Sequence, residues 1–208
     1  MAIELWLAFA AASAVLLAIP GPTVLLVVAY ALGQGKRAAM ATTAGVALGD
    51  FTAMTASLLG LGLLLATSAN LFTALKWAGA AYLVYLGIKL WRAPVATPDM
   101  PSPTPVSSRR MLAHTWLVTA LNPKSIVFFV AFLPQFLDPT RPLLAQLVVM
   151  EATFLALATV NAAAYAGLAQ SARRLIRTPS IQRAVNRTGG SLLIGAGLLT
   201  ATLRRAGP

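Results

Sequence analysis

The sequence lacks cysteine altogether and contains a single histidine, His114. Without thiols there are no disulfides, no zinc–thiolate sites and no iron–sulfur clusters, and one imidazole supplies almost no soft ligand for a metal. Acidic residues are also scarce, at 5 against 16 Lys and Arg. The composition argues against redox chemistry and heavy-metal binding, and we expect no cofactor.

Charge of either sign is rare in a chain that is rich in apolar residues. Of the 208 residues, 10% are charged and 58% are hydrophobic, and the mean hydropathy is +0.77. A soluble protein of this composition would have too little polar surface. Charge-free windows of about 20 residues, long enough to cross a hydrocarbon core, recur along the whole chain. The sequence therefore predicts an all-α integral membrane protein.

Interruptions by charge and by loop residues divide the apolar sequence into six predicted transmembrane helices. We place them at residues 3–32, 39–65, 71–90, 111–137, 143–170 and 189–203. The first is expected to be a retained span and not a signal peptide, because it contains Glu4, follows no basic residue and continues past Val27. A proline-rich linker at 93–110, expected to be extended and solvated, separates a first three-helix unit at 1–92 from a second at 111–208.

The basic residues are distributed unevenly between alternate loops, and positively charged loops are retained in the cytoplasm. One side carries only Arg141, Arg204 and Arg205, with Lys76 near a span end. Both termini are therefore predicted outside and the linker inside. The net charge of +11 is expected to serve topology and contact with anionic lipids, not binding of nucleic acid. The cytoplasmic loops carry Lys36, Arg37, Lys89, Arg92, Arg109, Arg110, Arg173, Arg174, Arg177, Arg183 and Arg187.

The first predicted span contains the motif Pro20-Gly21-Pro22. Two prolines remove backbone donors and clash with the preceding turn, so the helix should break there. The backbone groups that the break sets free need partners, which in a membrane means protein or a water-filled cavity. The motif indicates either a substrate or ion site or a simple packing kink.

The second predicted span contains the only carboxylate that we place deep in the membrane, Asp50. Such a group marks a proton relay, a cation site or a structural ion pair, for which Lys124 is the candidate partner. Gly45 and Gly49 precede it and lie four residues apart, so one face of this helix should allow close approach of a neighbour.

The fourth predicted span is interrupted at Asn122-Pro123-Lys124-Ser125. Pro123 should break this helix as the first motif breaks its own, and Asn122 and Ser125 can satisfy the backbone groups set free. Lys124 at this depth needs a partner that faces the bundle interior. It could attract a substrate carboxylate or neutralise Asp50.

The two three-helix units resemble one another. Each has a proline-broken helix, then a span with a polar residue, Asp50 in one and Asn161 in the other, then a glycine-rich span. An odd number of spans per unit would invert consecutive repeats in the membrane, as in many secondary transporters. No phosphate-binding Gly-Lys-Ser/Thr motif occurs, so ATP is not expected to drive this chain.

Several of these motifs, in this order, resemble the LysE/RhtB family of lysine, threonine and homoserine exporters. The resemblance covers almost the whole chain. It implies efflux of amino acids or close derivatives across the bacterial inner membrane, by proton antiport, through a six-helix and often dimeric protein. It rests on Ile19-Pro20-Gly21-Pro22, the Gly45, Gly49 and Asp50 pattern, the stretch from Lys76 to Leu83 with Leu86-Gly87, Asn122-Pro123-Lys124 and Leu133-Pro134-Gln135-Phe136.

The predicted transport pathway combines these motifs with the resemblance, which implies that its core is formed by Pro20, Gly21, Pro22, Asp50, Asn122, Pro123 and Lys124. Asp50 is predicted to couple protons, and Thr23, where many relatives carry an amide or an acid, is predicted to affect the choice of substrate. A cation or metal exporter and a membrane scaffold without transport are the alternatives. The predicted pathway residues are Pro20, Gly21, Pro22, Thr23, Gly45, Gly49, Asn122, Pro123, Lys124, Gln135 and Asn161.

Overall fold

The computed structural model describes residues 1–67, 69–93, 106–138, 140–169 and 178–202, and every regular element in these ranges is helical, as predicted. Most of the predicted linker, with its prolines, lies outside the described residues, as do the arginines at 173–177 and 204–205. The α-helices are α1 (Ile3–Ala18), α2 (Pro22–Thr67), α3 (Ala69–Trp91), α4 (Ser108–Ala120), α5 (Pro123–Val127), α6 (Leu143–Gly167) and α7 (Pro179–Thr202).

Both predicted proline breaks are confirmed. α1 and α2 meet at an angle of 56°, and the helices on either side of residues 121–122 meet at 40°. Pro22 and Pro123 are each the first residue of the helix that follows, where no backbone donor is required. The chain continues after α5 as a π-helical turn, Phe128–Phe132, and a 3₁₀ turn, Leu133–Phe136.

α2 consists of two helical arms, 22–34 and 36–67, that join at Gly35. This residue has φ 64° and ψ −145°, a backbone conformation that glycine adopts without steric cost. The first arm runs antiparallel to α4. Tyr30 Oη lies 2.9 Å from His114 Nδ1, and Thr119 donates to Thr23 at 3.4 Å.

The second arm of α2 runs parallel to α4. Arg37 donates to Ser108 at 2.8 Å, and Trp116, near the other end of α4, donates to Thr52 at 3.1 Å. Because the two arms follow α4 in opposite directions, the chain reverses at Gly35. The first and second predicted spans are therefore separate antiparallel helices, joined by one non-helical residue.

Part of the described structure is long enough and apolar enough to cross a membrane. α6 meets both criteria by itself, with a mean hydropathy of 2.0. Two bent pairs, Ile3–Ala18 with Pro22–Gly60 and Ser108–Ala120 with Pro123–Phe136, also meet them when each pair is counted together, although the first pair extends past the reversal at Gly35. Among the described residues, one to three spans are thus supported by length and composition.

Four predicted helix starts were too late, those at 39, 71, 111 and 189. α7 begins at Pro179 instead of 189, and α4 begins at Ser108 instead of 111. In α4, the Ser107 hydroxyl accepts from the amide of Arg110 at 3.4 Å and caps the helix. Basic residues mark where a helix leaves the apolar region, but the helix itself continues through them, as it does at Arg183.

The two glycines before Asp50 bring α2 and α4 into close contact, as their spacing predicts. A Cβ atom on Gly45 would lie 2.7 Å from the carbonyl oxygen of Leu112. One on Gly49 would lie 2.5 Å from Thr119 Cβ and 2.8 Å from the carbonyl oxygen of Trp116. The second arm of α2 can approach α4 this closely only because both side chains are absent.

Phenylalanine rings form one contiguous part of the core. Phe129 and Phe154 meet edge to face with ring centroids 4.8 Å apart, and Phe9 contacts Phe136 in the same way at 5.6 Å. Such pairs stabilise packing beyond the area that they bury. We call this set the phenylalanine cluster; it comprises Phe9, Phe128, Phe129, Phe132, Phe136 and Phe154.

The close helix contact gives a first prediction. Gly49→Ala should destabilise the protein by about 1–3 kcal/mol, because the added methyl forces α2 and α4 apart. Gly60→Ala, on the same arm, is the matched control, since a Cβ there would meet no atom within 4 Å. It should be neutral or stabilising by about 0.5–1 kcal/mol. Thermal unfolding midpoints of the detergent-purified variants test this, and an equal effect of both substitutions would contradict it.

Candidate functional site

The carbonyls in the last turn of α1 need partners, because a helix end leaves its final C=O groups without intrahelical donors. In apolar surroundings each unpaired group costs several kcal/mol. Two of them are paired by a side chain from the second break. Lys124 Nζ donates to the carbonyl of Leu16 at 2.9 Å and to that of Ile19 at 3.0 Å.

α6 supplies donors to the two carbonyls between these. Asn161 Nδ2 donates to the carbonyl of Leu17 at 3.2 Å, and Tyr165 Oη donates to that of Ala18 at 3.0 Å. Asn161 and Tyr165 lie four residues apart, so they share one face of α6. All four carbonyls at 16–19 therefore have side-chain donors, and we call this arrangement the α1 cap.

The second break is stabilised by Asn122. Its Oδ1 accepts from the amide of Lys124 at 3.1 Å and so caps α5, while its Nδ2 donates to Thr23 Oγ1 at 3.4 Å. Thr23 lies in the first turn of α2, directly after the first break. The hydrogen bond therefore connects the two breaks a second time.

Gly21 lies beside the Lys124 ammonium. A Cβ atom at this position would be 3.6 Å from Nζ, an ordinary van der Waals contact. Its carbonyl accepts from the amide of Leu25 at 3.0 Å and so begins the hydrogen bonding of α2. Space does not require glycine here, and the break follows from Pro20 and Pro22 on either side.

A cavity of about 30 Å³ lies between the two breaks. This volume holds about two water molecules. An amino acid is several times larger, so the cavity would have to enlarge to hold one. The walls are both polar and apolar and come from Leu17, Gly21, Thr23, Val24, Val27, Val46, Asp50, Thr119, Asn122, Lys124, Ser125, Ala158, Asn161 and Ala162.

Asp50 is the carboxylate in this cavity wall, and it is 2% exposed. The described part of the chain gives it neither a hydrogen-bond donor nor an ion-pair partner. The one ion pair among the described residues joins Arg141 to Asp138 at 3.2 Å. A direct Asp50–Lys124 ion pair, one of the sequence-based alternatives, is therefore not formed, because the Lys124 ammonium is turned to the α1 carbonyls.

The structure brings together about half of the predicted pathway residues. Gly21, Thr23, Asp50, Asn122, Lys124 and Asn161 line the cavity. The others do not. The three prolines form the breaks, Gly45 and Gly49 lie against α4, and Gln135 Nε2 donates to the carbonyl of Ala131 at 3.2 Å in the 3₁₀ turn.

Sequence reasoning missed two polar side chains at the site. Tyr165 completes the α1 cap, and Thr119, buried on α4, lines the cavity and donates to Thr23. The spacing of four between Asn161 and Tyr165 was the available signal for the first. Thr119 gave none, since a threonine in an apolar helix commonly bonds its own backbone.

The described residues contain no group of three or more His, Asp or Glu side chains that could hold a metal ion. The cavity has one carboxylate and one ammonium, with hydroxyl and amide groups between them. This donor set suits a small molecule that carries both charges.

Apolar helices, two of them broken by proline around an internal cavity with polar and apolar walls, are typical of membrane transport proteins. The chain belongs to the LysE type translocator family, whose sequence model matches residues 14–203. It is a membrane protein of this family.

The chain is similar over its full length to bacterial membrane proteins. It is 37% identical over 207 residues to the homoserine/homoserine lactone efflux protein of Salmonella typhimurium, covering 99% of this chain and 100% of the relative. It is 35% identical to an uncharacterized membrane protein of Vibrio cholerae, covering 98% and 100%. The leucine efflux protein of Salmonella choleraesuis is 32% identical over 125 residues, covering 60% and 59%. No solved structure matches the chain.

The α1 cap gives a second prediction. Tyr165→Phe removes only the donor to the Ala18 carbonyl and should lower the free energy of unfolding by about 0.5–1.5 kcal/mol. Tyr85→Phe is the matched control, because Tyr85 lies 55% exposed on α3, away from α1. Thermal midpoints of both variants, with hydrogen exchange of the α1 peptide, measure the effect. Equal midpoints for the two variants, with unchanged exchange in α1, would refute a capping role.

Proposed function

We propose that this protein is a secondary active transporter that exports amino acids or close derivatives from the bacterial cytoplasm in exchange for protons. The similarity to homoserine/homoserine lactone and leucine efflux proteins supports amino-acid export. The proposal includes an inner-membrane location, both termini outside, and a homodimer.

The observation that carries the proposal is the Asp50 carboxylate. It is buried in the cavity wall without a hydrogen-bond or ion-pair partner among the described residues. An unpaired buried charge is costly, and a carboxylate at membrane depth is retained where it has a function. A substrate ammonium or a proton would each relieve that cost.

Substrate export would be coupled to proton entry if the substrate ammonium and a proton compete for Asp50. A carboxylate that binds the substrate ammonium cannot hold a proton at the same time. Protonation from one side would release the substrate, and loss of the proton to the other side would restore the site. Export of one substrate would thus be exchanged for entry of one proton.

Lys124 provides the opposite charge for the substrate carboxylate. An ammonium has three donors, and two of them bond the carbonyls of α1. The third is available to a carboxylate in the cavity. With Asp50 and Lys124 both charged, the cavity is neutral overall, which favours a zwitterion over an amino acid with a charged side chain. Val24, Val27 and Val46 would contact its apolar portion.

Two inverted three-helix repeats are also part of the proposal. The second arm of α2 lies parallel to α4, as α6 lies parallel to α1, where Trp6 donates to Thr153 and Asn161 to Leu17. α3 and α7 cross antiparallel at Gly87 and Gly190. If the two halves exchanged places, the α2–α4 contact would map onto the α6–α1 contact, and the α3–α7 contact would map onto itself. It supports alternating access by movement of one half against the other.

The test uses proteoliposomes loaded with a panel of radiolabelled amino acids and, separately, divalent metal ions. Wild type should release at least one neutral amino acid. An imposed pH gradient should drive this amino acid against its own concentration gradient, to a ratio of about tenfold per pH unit if one proton is exchanged. Release of metals without amino acids would favour a metal exporter. Release of neither would favour a scaffold.

Asp50→Asn should abolish the response to the pH gradient, because the amide neither takes up a proton nor binds ammonium as a carboxylate does. Glu4→Gln, the same chemical change at an exposed position in the first turn of α1, should behave as wild type. The rate with and without the gradient is measured for each variant. Gradient-driven efflux by Asp50→Asn would exclude the proposed role in coupling.

A further inference from the structure

The Lys124 ammonium is bound chiefly by backbone carbonyls. Its bonds to Leu16 and Ile19, at 2.9 and 3.0 Å, use carbonyls at the C-terminal end of a 16-residue helix. Such an end carries the negative pole of the helix dipole. In broken transporter helices, these carbonyl ends are a place where small cations bind.

The cation arrives from the other broken helix. Lys124 is the second residue of α5, directly after the second break, and its side chain reaches across to the first break. Asp50 lines the same cavity and supplies a negative charge without a direct bond. Two carbonyl oxygens with a carboxylate nearby form surroundings suited to one monovalent cation.

We propose that the Lys124 ammonium is a built-in monovalent cation that fills a carbonyl-lined cation site at the end of α1, and that a free small cation can bind there when the lysine amine is removed. It follows that the wild-type protein needs no Na⁺ for transport. This second statement rests on the proposed transport function, whereas occupancy of the site can be tested without transport.

An ordinary ion pair with Asp50 would lead to a different expectation. In that case, loss of Lys124 would leave an unpaired carboxylate, and protonation would relieve it without any metal or ammonium ion. The geometry favours the carbonyl site, because both hydrogen bonds of the ammonium to protein end on α1 and neither ends on Asp50.

The test is chemical rescue of Lys124→Ala. The thermal midpoint of the detergent-purified variant is measured in increasing ammonium, methylammonium, Na⁺ or K⁺ chloride, with tetramethylammonium chloride as the control for ionic strength. We expect a saturable rise of about 2–4 °C with at least one small cation and none with tetramethylammonium. Wild type and Lys124→Arg should show no such rise.

Lys89→Ala is the matched lysine deletion, since Lys89 is exposed in the last turn of α3. It should respond to all the salts alike. If the thermal midpoint of Lys124→Ala responds to all the salts alike, or to none of them, the proposal of a cation site is wrong. If this variant cannot be purified from standard medium, recovery of folded protein in methylammonium, and not in tetramethylammonium, supports the site, and failure of both refutes it.

A measurement on wild type is independent of the variant's folding. Efflux from proteoliposomes should have the same rate when all Na⁺ is replaced by choline. A severalfold loss would overturn the proposal. Absence of any amino-acid efflux would instead contradict the proposed function, and the thermal titration would still decide the cation site.

Discussion

The four carbonyls at the end of α1 impose the constraint on which the rest of the molecule depends. A helix that stops inside an apolar protein needs donors for its last turn, and here all of them come from the second half of the chain. Two of the donors, Lys124 and Asn161, also line the cavity. The groups that hold the break together are thus the groups that shape the site.

Under the proposed transport function, this double use limits how the protein can open. α1 is bound through its last turn to α5 and to α6, so a movement that separates these helices would break several hydrogen bonds at once. Moving α1 together with its donors costs less. A cavity of about 30 Å³ must enlarge to accept an amino acid, and the contact of Asn122 with Thr23, at 3.4 Å, is the weaker connection between the breaks.

Much of the fold was predictable, because proline and charge act locally. The prolines predicted both breaks, and the charge-free sequence around Asp50 predicted its burial. The reversal at Gly35 was narrower than expected. Neighbouring charges at Lys36 and Arg37 indicated a loop, but one glycine with positive φ suffices, and the helix resumes at once.

The site was less predictable, because the partner of a long side chain depends on which groups the fold brings within its reach. Lys124 could reach a carboxylate or a carbonyl, and only the position of the α1 end decides between them. The spacing of Tyr165 from Asn161 places both on one face of α6, but it does not select the Ala18 carbonyl as the partner of Tyr165. The contacts of Gln135 were equally inaccessible, since the chain around it leaves α-helical geometry at Phe128, where no proline or glycine marks the change.

The phenylalanine cluster has a consequence for the membrane as a whole. Its rings lie on the side of the cavity where α1 begins, and Phe9, Phe129 and Phe154 are fully buried. Packed aromatic rings leave no space for a chain of water molecules, and protons cross apolar regions along such chains. If the protein exchanges protons as proposed, this packing would keep an idle molecule from conducting them, so a cell could hold many copies without losing its proton gradient.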